Sequence, residues 1–129
     1  MRKFILLVSA LLLLSADKNA WGQVQYTLKN LGTLRAGWES YAYGINNSGQ
    51  VVGVSATNGY NFGHAFLYSG GVMQDISGDI YSRTQSQASG INNSGQVVGY
   101  NDVGVNGSRD AFLYSGGSMQ YLGTLLAAR

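Results

Sequence analysis

His64 is the only histidine in the chain. It is therefore the one side chain with an ordinary pKa near neutrality, the usual proton carrier in acid–base catalysis. A serine hydrolase would place it between an activated serine and an orienting acid. Nothing in the order or spacing of residues around His64 suggests such a set, and a structural place at the start of a strand explains it better. A retaining glycosidase would need two carboxylates about 5–5.5 Å apart. Apart from Asp17 near the N-terminus, the acids are Glu39, Asp75, Asp79, Asp102 and Asp110, and turn or cap chemistry accounts for these aspartates. Calcium is suggested by loops rich in Asn, yet the EF-hand spacing is absent. Asn46, Asn47, Asn92 and Asn93 are explained by the turns they occupy. No catalytic residue, metal or cofactor is assigned. Five aromatic residues, Trp38, Tyr41, Tyr43, Tyr60 and Phe62, could form a ligand-binding surface, because sugars bind aromatic faces flanked by amide and carboxylate groups. The competing reading packs them between neighbouring sheets.

These residues must be positioned by a repeat. GINNSGQVVG stands at 44–53 and again at 90–99, and AFLYSGG follows at 65–71 and 111–117, an offset of 46 residues in both cases. A fixed period of this length marks units that stack on one another. Each unit reads as four short strands: 40–46, 50–55, 64–69 and 72–76 in the first, and 86–92, 96–101, 110–115 and 118–125 in the second. Strict alternation would put Ala42, Gly44 and Asn46 on one face and Tyr41, Tyr43 and Ile45 on the other. Asn47-Ser48-Gly49 and Asn93-Ser94-Gly95 fit three-residue hairpin loops ending in a glycine at φ > 0. Gly70-Gly71 and Gly116-Gly117 fit two-residue loops. Between the hairpins, 56–63 and 102–109 share no identical aligned residue, as solvent-facing loops would. The second unit carries Asp110 where the first has His64, which weakens any catalytic role for the histidine.

The segment YTLKNLGTL at 26–34 ends like MQYLGTL at 119–125, so an extra copy of the fourth strand is expected ahead of unit one (about 35–80) and unit two (about 81–125). Four-stranded repeats of this length point to an all-β, antiparallel fold of β-propeller-like blades. Two blades and a spare strand make an incomplete ring. GINNSGQVVG, HAFLYSGGVMQD and LGTL together resemble the bacterial HAF-type extracellular repeat, named for the His-Ala-Phe found here as His64-Ala65-Phe66. The resemblance covers nearly all of 26–125. It implies an exported or surface-associated protein with propeller-like blades, and it implies no reaction.

Residues 1–22 read as a signal peptide. Arg2 and Lys3 precede the apolar run Phe4–Ala16, and Ala20-Trp21-Gly22 offers a small-x-small cleavage site before Gln23. The run is too short for the roughly 20 residues of a bilayer span. The competing reading is a buried or anchoring helix. Without that segment, Lys29, Arg35, Arg83, Arg109 and Arg129 balance the five acids. The formal charge of +2 thus belongs to the precursor and gives no support to nucleic acid as a partner. With no cysteine and no proline but 19 glycines, the domain depends on its core and its backbone ladders.

Three functions are carried forward. The first is a non-enzymatic exported module, at the cell surface or in the periplasm or medium, that binds a carbohydrate or another surface protein. The second is a self-assembling structural protein, or a fragment of a longer propeller. The third is an exported polysaccharide hydrolase, for which the ionisable inventory is poor. Open strand edges and apolar sheet faces favour a head-to-tail homo-oligomer, three chains giving a six-bladed ring in the simplest case.

Overall fold

The computed structural model describes residues 25–36, 38–58, 62–77, 85–103 and 108–123. The proposed signal segment and Tyr60 lie outside them. The described chain is all-β: β1 (Ser40–Ile45), β2 (Val51–Asn58), β3 (Phe62–Ser69), β4 (Val72–Asp75), β5 (Ser86–Ile91), β6 (Val97–Val103), β7 (Ser108–Ser115) and β8 (Ser118–Tyr121). They form two open antiparallel sheets in the orders β1-β2-β3-β4 and β5-β6-β7-β8. Each sheet is one repeat unit, and each of the eight strands falls on a segment expected from the sequence. The central hairpins run further than expected. Ladder pairs such as Ala56↔Gly63 and Asp102↔Arg109 place in strands residues that the sequence assigned to variable loops. Pairing there depends on backbone groups, which any side chain outside proline supplies.

Both types of turn form as expected. Gly49 and Gly95 have φ of 74° and 78°, and all four glycines of the Gly-Gly loops also lie at positive φ. The first asparagine of each NNSG turn organises it. Asn46 Oδ1 accepts the amides of Ser48 and Gln50, while its Nδ2 donates to Gln50 Oε1 at 2.7 Å. Asn92 repeats these bonds with Ser94 and Gln96.

Strict alternation along the first strand fails. The register shifts between Ala42 and Gly44 in β1, and between Ala88 and Gly90 in β5, so Tyr43 and Ser89 are the extra residues of β-bulges. Gly44 therefore pairs with Val52, on the face of Tyr41 and Val54, whereas Ile45 pairs with Val51 on the opposite face. The expected grouping of Ile45 with Tyr41 and Tyr43 is corrected by one inserted residue.

The sheets stack with like units facing the same way. Val52, Ala65 and Ile76 of unit one share a core with Ala88, Val97, Phe112 and Tyr114 of unit two. One face of the first sheet thus meets the opposite face of the second, with β5 against β1, β2 and β3. Between the sheets, buried Ser86 Oγ accepts the Ala65 amide at 2.8 Å and lies 2.6 Å from Ser77 Oγ. The other face of the first sheet, Val51, Phe66 and Tyr68, is covered by Leu31 and Leu34.

Residues 25–34 form no strand, which corrects the expected extra fourth strand. A fourth strand needs a third beside it, and among the described residues no strand pairs with this segment. The segment instead keeps the packing role of a fourth strand's exit. Leu31 lies on unit one much as Ile76 lies on unit two, and Ser40 Oγ donates to Gly32 O at 2.8 Å.

Candidate binding cleft

The turns gather at one end of the sheets. At the other end, Ala56 and Gly63 of the first unit's central hairpin and the entries to β1 and β5 border an open cleft of about 260 Å³ between the units. Tyr41 and Tyr43 line it, with Glu39, from the first unit; Gln85, Gln87 and Tyr100 line it from the second. The bulge in β1 puts both tyrosines on this side. Two apolar side chains, Val54 and Ala56, form part of the wall.

The polar groups are held in place. Tyr41 Oη donates to Glu39 Oε2 at 2.8 Å, and this bond, with the carboxylate charge behind it, raises the Tyr41 pKa above its ordinary value. Tyr100 Oη donates to Gln87 Oε1 at 3.4 Å. The Arg109 guanidinium stacks on the Tyr100 ring, 4.4 Å from its centroid, and its Nε is 3.0 Å from Asp102 Oδ1. A cation on one face of the ring fixes its orientation.

Of the five aromatic candidates, the structure brings Tyr41 and Tyr43 together. Trp38 is 42% exposed but is not among the residues lining the cleft. Phe62 begins β3, and its side chain, like Tyr60, is outside the described set. Tyr100, Gln87 and Glu39 were missed by the sequence reading. The available signal was Tyr100 itself, which stands in QVVGY where the first unit has the valine of QVVGV.

His64 does have an acid beside it. Its Nδ1 is 2.7 Å from Asp75 Oδ2, but its Nε2 is buried with no hydrogen-bond partner among the described residues. The pair sits on the Phe66 face of the first sheet, and neither residue lines the cleft. In unit two the corresponding place is held by a bond from Asn101 Nδ2 to Tyr121 Oη at 2.8 Å. Burial pushes the Asp75 carboxyl up, but hydrogen bonds from His64 and from Ser77 outweigh it, and its pKa is lowered from 3.8. A carboxylate with a lowered folded-state pKa stabilises the fold above its unfolded value and loses that contribution as pH falls through the folded one. The stability gap between the natural protein and Asp75→Asn should therefore shrink as the pH falls below the ordinary carboxylate range. Urea titrations across that range test this; a gap that widened on acidification would contradict the assignment.

No group of three or more His, Cys, Asp or Glu side chains is placed to hold a metal ion among the described residues. Compared with protein-family models, curated proteins and solved structures, the chain gives no match.

Proposed function

We propose that this chain is an exported, non-enzymatic β-repeat module that binds a carbohydrate in the cleft between its two sheets. The observation that carries the reading is the cleft lining, in which Tyr41, Tyr43 and Tyr100 stand among Glu39, Gln85 and Gln87. A sugar ring stacks its C–H face on an aromatic ring while its hydroxyls exchange bonds with amides and carboxylates. The sheets are read as propeller-like blades of the HAF type, and the basic-then-apolar segment at 1–22 supports action outside the cytoplasm. Another surface protein as ligand is the alternative partner.

The test is titration calorimetry and array binding against bacterial oligosaccharides and polysaccharides. The natural protein should bind at least one of them. Tyr43→Ala and Tyr100→Ala should each weaken that binding at least ~10-fold, the size expected for losing a stacking residue, while leaving the far-UV spectrum unchanged. A natural protein that bound none of the panel, or bound with the affinity of its tyrosine variants, would sink the proposal.

A further inference from the structure

Among the described residues, many repeat positions occur twice, once facing the other unit and once not, so the chain supplies its own control. On the face of unit one that receives unit two, Val52 is 0% and Ile76 3% exposed; their equivalents in unit two, Val98 and Leu122, are 47% and 57% exposed. Ala65 is buried and Ala111 exposed. The inserting face shows the converse. Ala88 is buried at 0% while Ala42 is exposed, and Ile91 is partly buried while Ile45 is 70% exposed. Unit two therefore presents an empty copy of a receiving face, and β1 presents an empty copy of an inserting one.

We infer that a second copy of this chain docks its β1 on the β5-β6-β7 face, repeating the contact that β5 makes on β1-β2-β3. The inference is independent of what the cleft binds. Residues 31–34 already cover Val51, Phe66 and Tyr68, taking the place that Leu122 of the neighbouring copy would otherwise fill, so the docked contact is confined to Ala42 and Ile45 of β1, which they leave exposed. Gly44 and Gly90 already approach closely, a Cβ at Gly44 standing 3.5 Å from Gly90 Cα. In the docked pair Gly90 would meet the partner's Gly44 in the same way. None of Gly90, Val98, Ala111 and Leu113 carries a charge, and the first three are small or β-branched residues suited to face-to-face sheet packing.

The turns specify the register. Between the units, Asn46 Nδ2 donates to Asn92 O at 3.1 Å and the Asn47 amide donates to Asn93 Oδ1 at 3.0 Å. Asn92 Nδ2 and the Asn93 amide are the matching donors for the partner's Asn46 O and Asn47 Oδ1. This contact joins two different surfaces, so each added copy again offers a free face, and assembly ends where a ring closes.

Sedimentation velocity of the purified protein, from about 1 to about 100 μM, tests the inference across the range of modest self-affinities. The expected result is reversible assembly beyond the monomer. Val98→Lys and Ile45→Lys change opposite faces at exposed positions, and each should weaken assembly by about 100-fold, as a charge in an apolar contact does. Mixing the two variants should restore one intact junction and stop at a dimer. A natural protein that stayed monomeric, or a Val98→Lys variant that assembled normally, would overturn the docking mode. So would assembly lost in Val98→Lys but untouched in Ile45→Lys, which would mean two receiving faces meet each other. If Val98→Lys fails to fold by circular dichroism, Ile45→Lys decides alone, and its normal assembly would refute the inference.

Discussion

Gly53→Ala and Gly99→Ala are each expected to destabilise the protein by about 3 kcal/mol or more, at the upper end for a substitution that overpacks against backbone. Both glycines sit in the middle of a central strand, opposite the bulged strand of their unit. The bulge brings the first strand's carbonyl over the glycine. A Cβ on Gly53 would occupy the Tyr41 carbonyl oxygen, and one on Gly99 would occupy the Gln87 carbonyl oxygen. At Gly99 the Phe112 ring is a second obstacle, its Cζ 2.8 Å from the added atom. Backbone atoms in a paired ladder cannot step aside as a flexible side chain can. Gly49→Ala meets no atom within 4 Å and would bear only the cost of positive φ, about 1 kcal/mol. Urea unfolding of the three variants provides the comparison. Equal midpoints for Gly53→Ala and Gly49→Ala would show that the bulge register is wrong.

This contrast shows what the sequence could reveal. The turn glycines were legible because NNSG and Gly-Gly between apolar runs are local signals, each pointing to a positive φ. The strands were legible because a 46-residue offset lets one copy check the other. Gly53 and Gly99 were equally repeated, but their reason is a carbonyl on another strand, displaced by a bulge. No local pattern in YAYGIN or QASGIN marks that bulge, so Ile45 was placed on the wrong face. The same gap separates the aromatic cluster from the cleft. Tyr41 and Tyr43 were visible as neighbours, whereas Tyr100 joins them through the stacking of one unit on the next. The segment 26–34 was recognisable as a relative of the fourth strand by its letters. Strand structure also needs a paired neighbour, and among the described residues none lies beside it, which a sequence motif does not show.

Phe112→Ala is expected to cost about 3–5 kcal/mol, the range for removing a fully buried ring, and to do so for both sheets at once. Phe112 is 0% exposed and pairs across the ladder with Gly99, so its ring lies over the glycine that has no side chain to share the space. The same ring belongs to the core that holds Val52, Ala65 and Ile76 of the other unit. Its loss therefore opens a cavity between the sheets, where the smaller neighbours Ala65 and Ala88 cannot reach to fill it. A domain of this size is stabilised by about 5–15 kcal/mol in total, so the variant should sit near the edge of folding at ordinary temperatures. Phe66→Ala tests the other side of unit one, since Phe66 packs with Val51, Tyr68, Leu31 and Leu34. Its direct effect should fall on the first sheet and residues 31–34. Native-state hydrogen exchange separates the two cases. In Phe112→Ala the amides of β2 and β6 should lose protection together, because stacked repeats stabilise one another through their shared interface. If β2 kept its natural protection while β6 opened, the two sheets would be independent units, and the stacking contact would be too weak to serve as the template for docking a second copy.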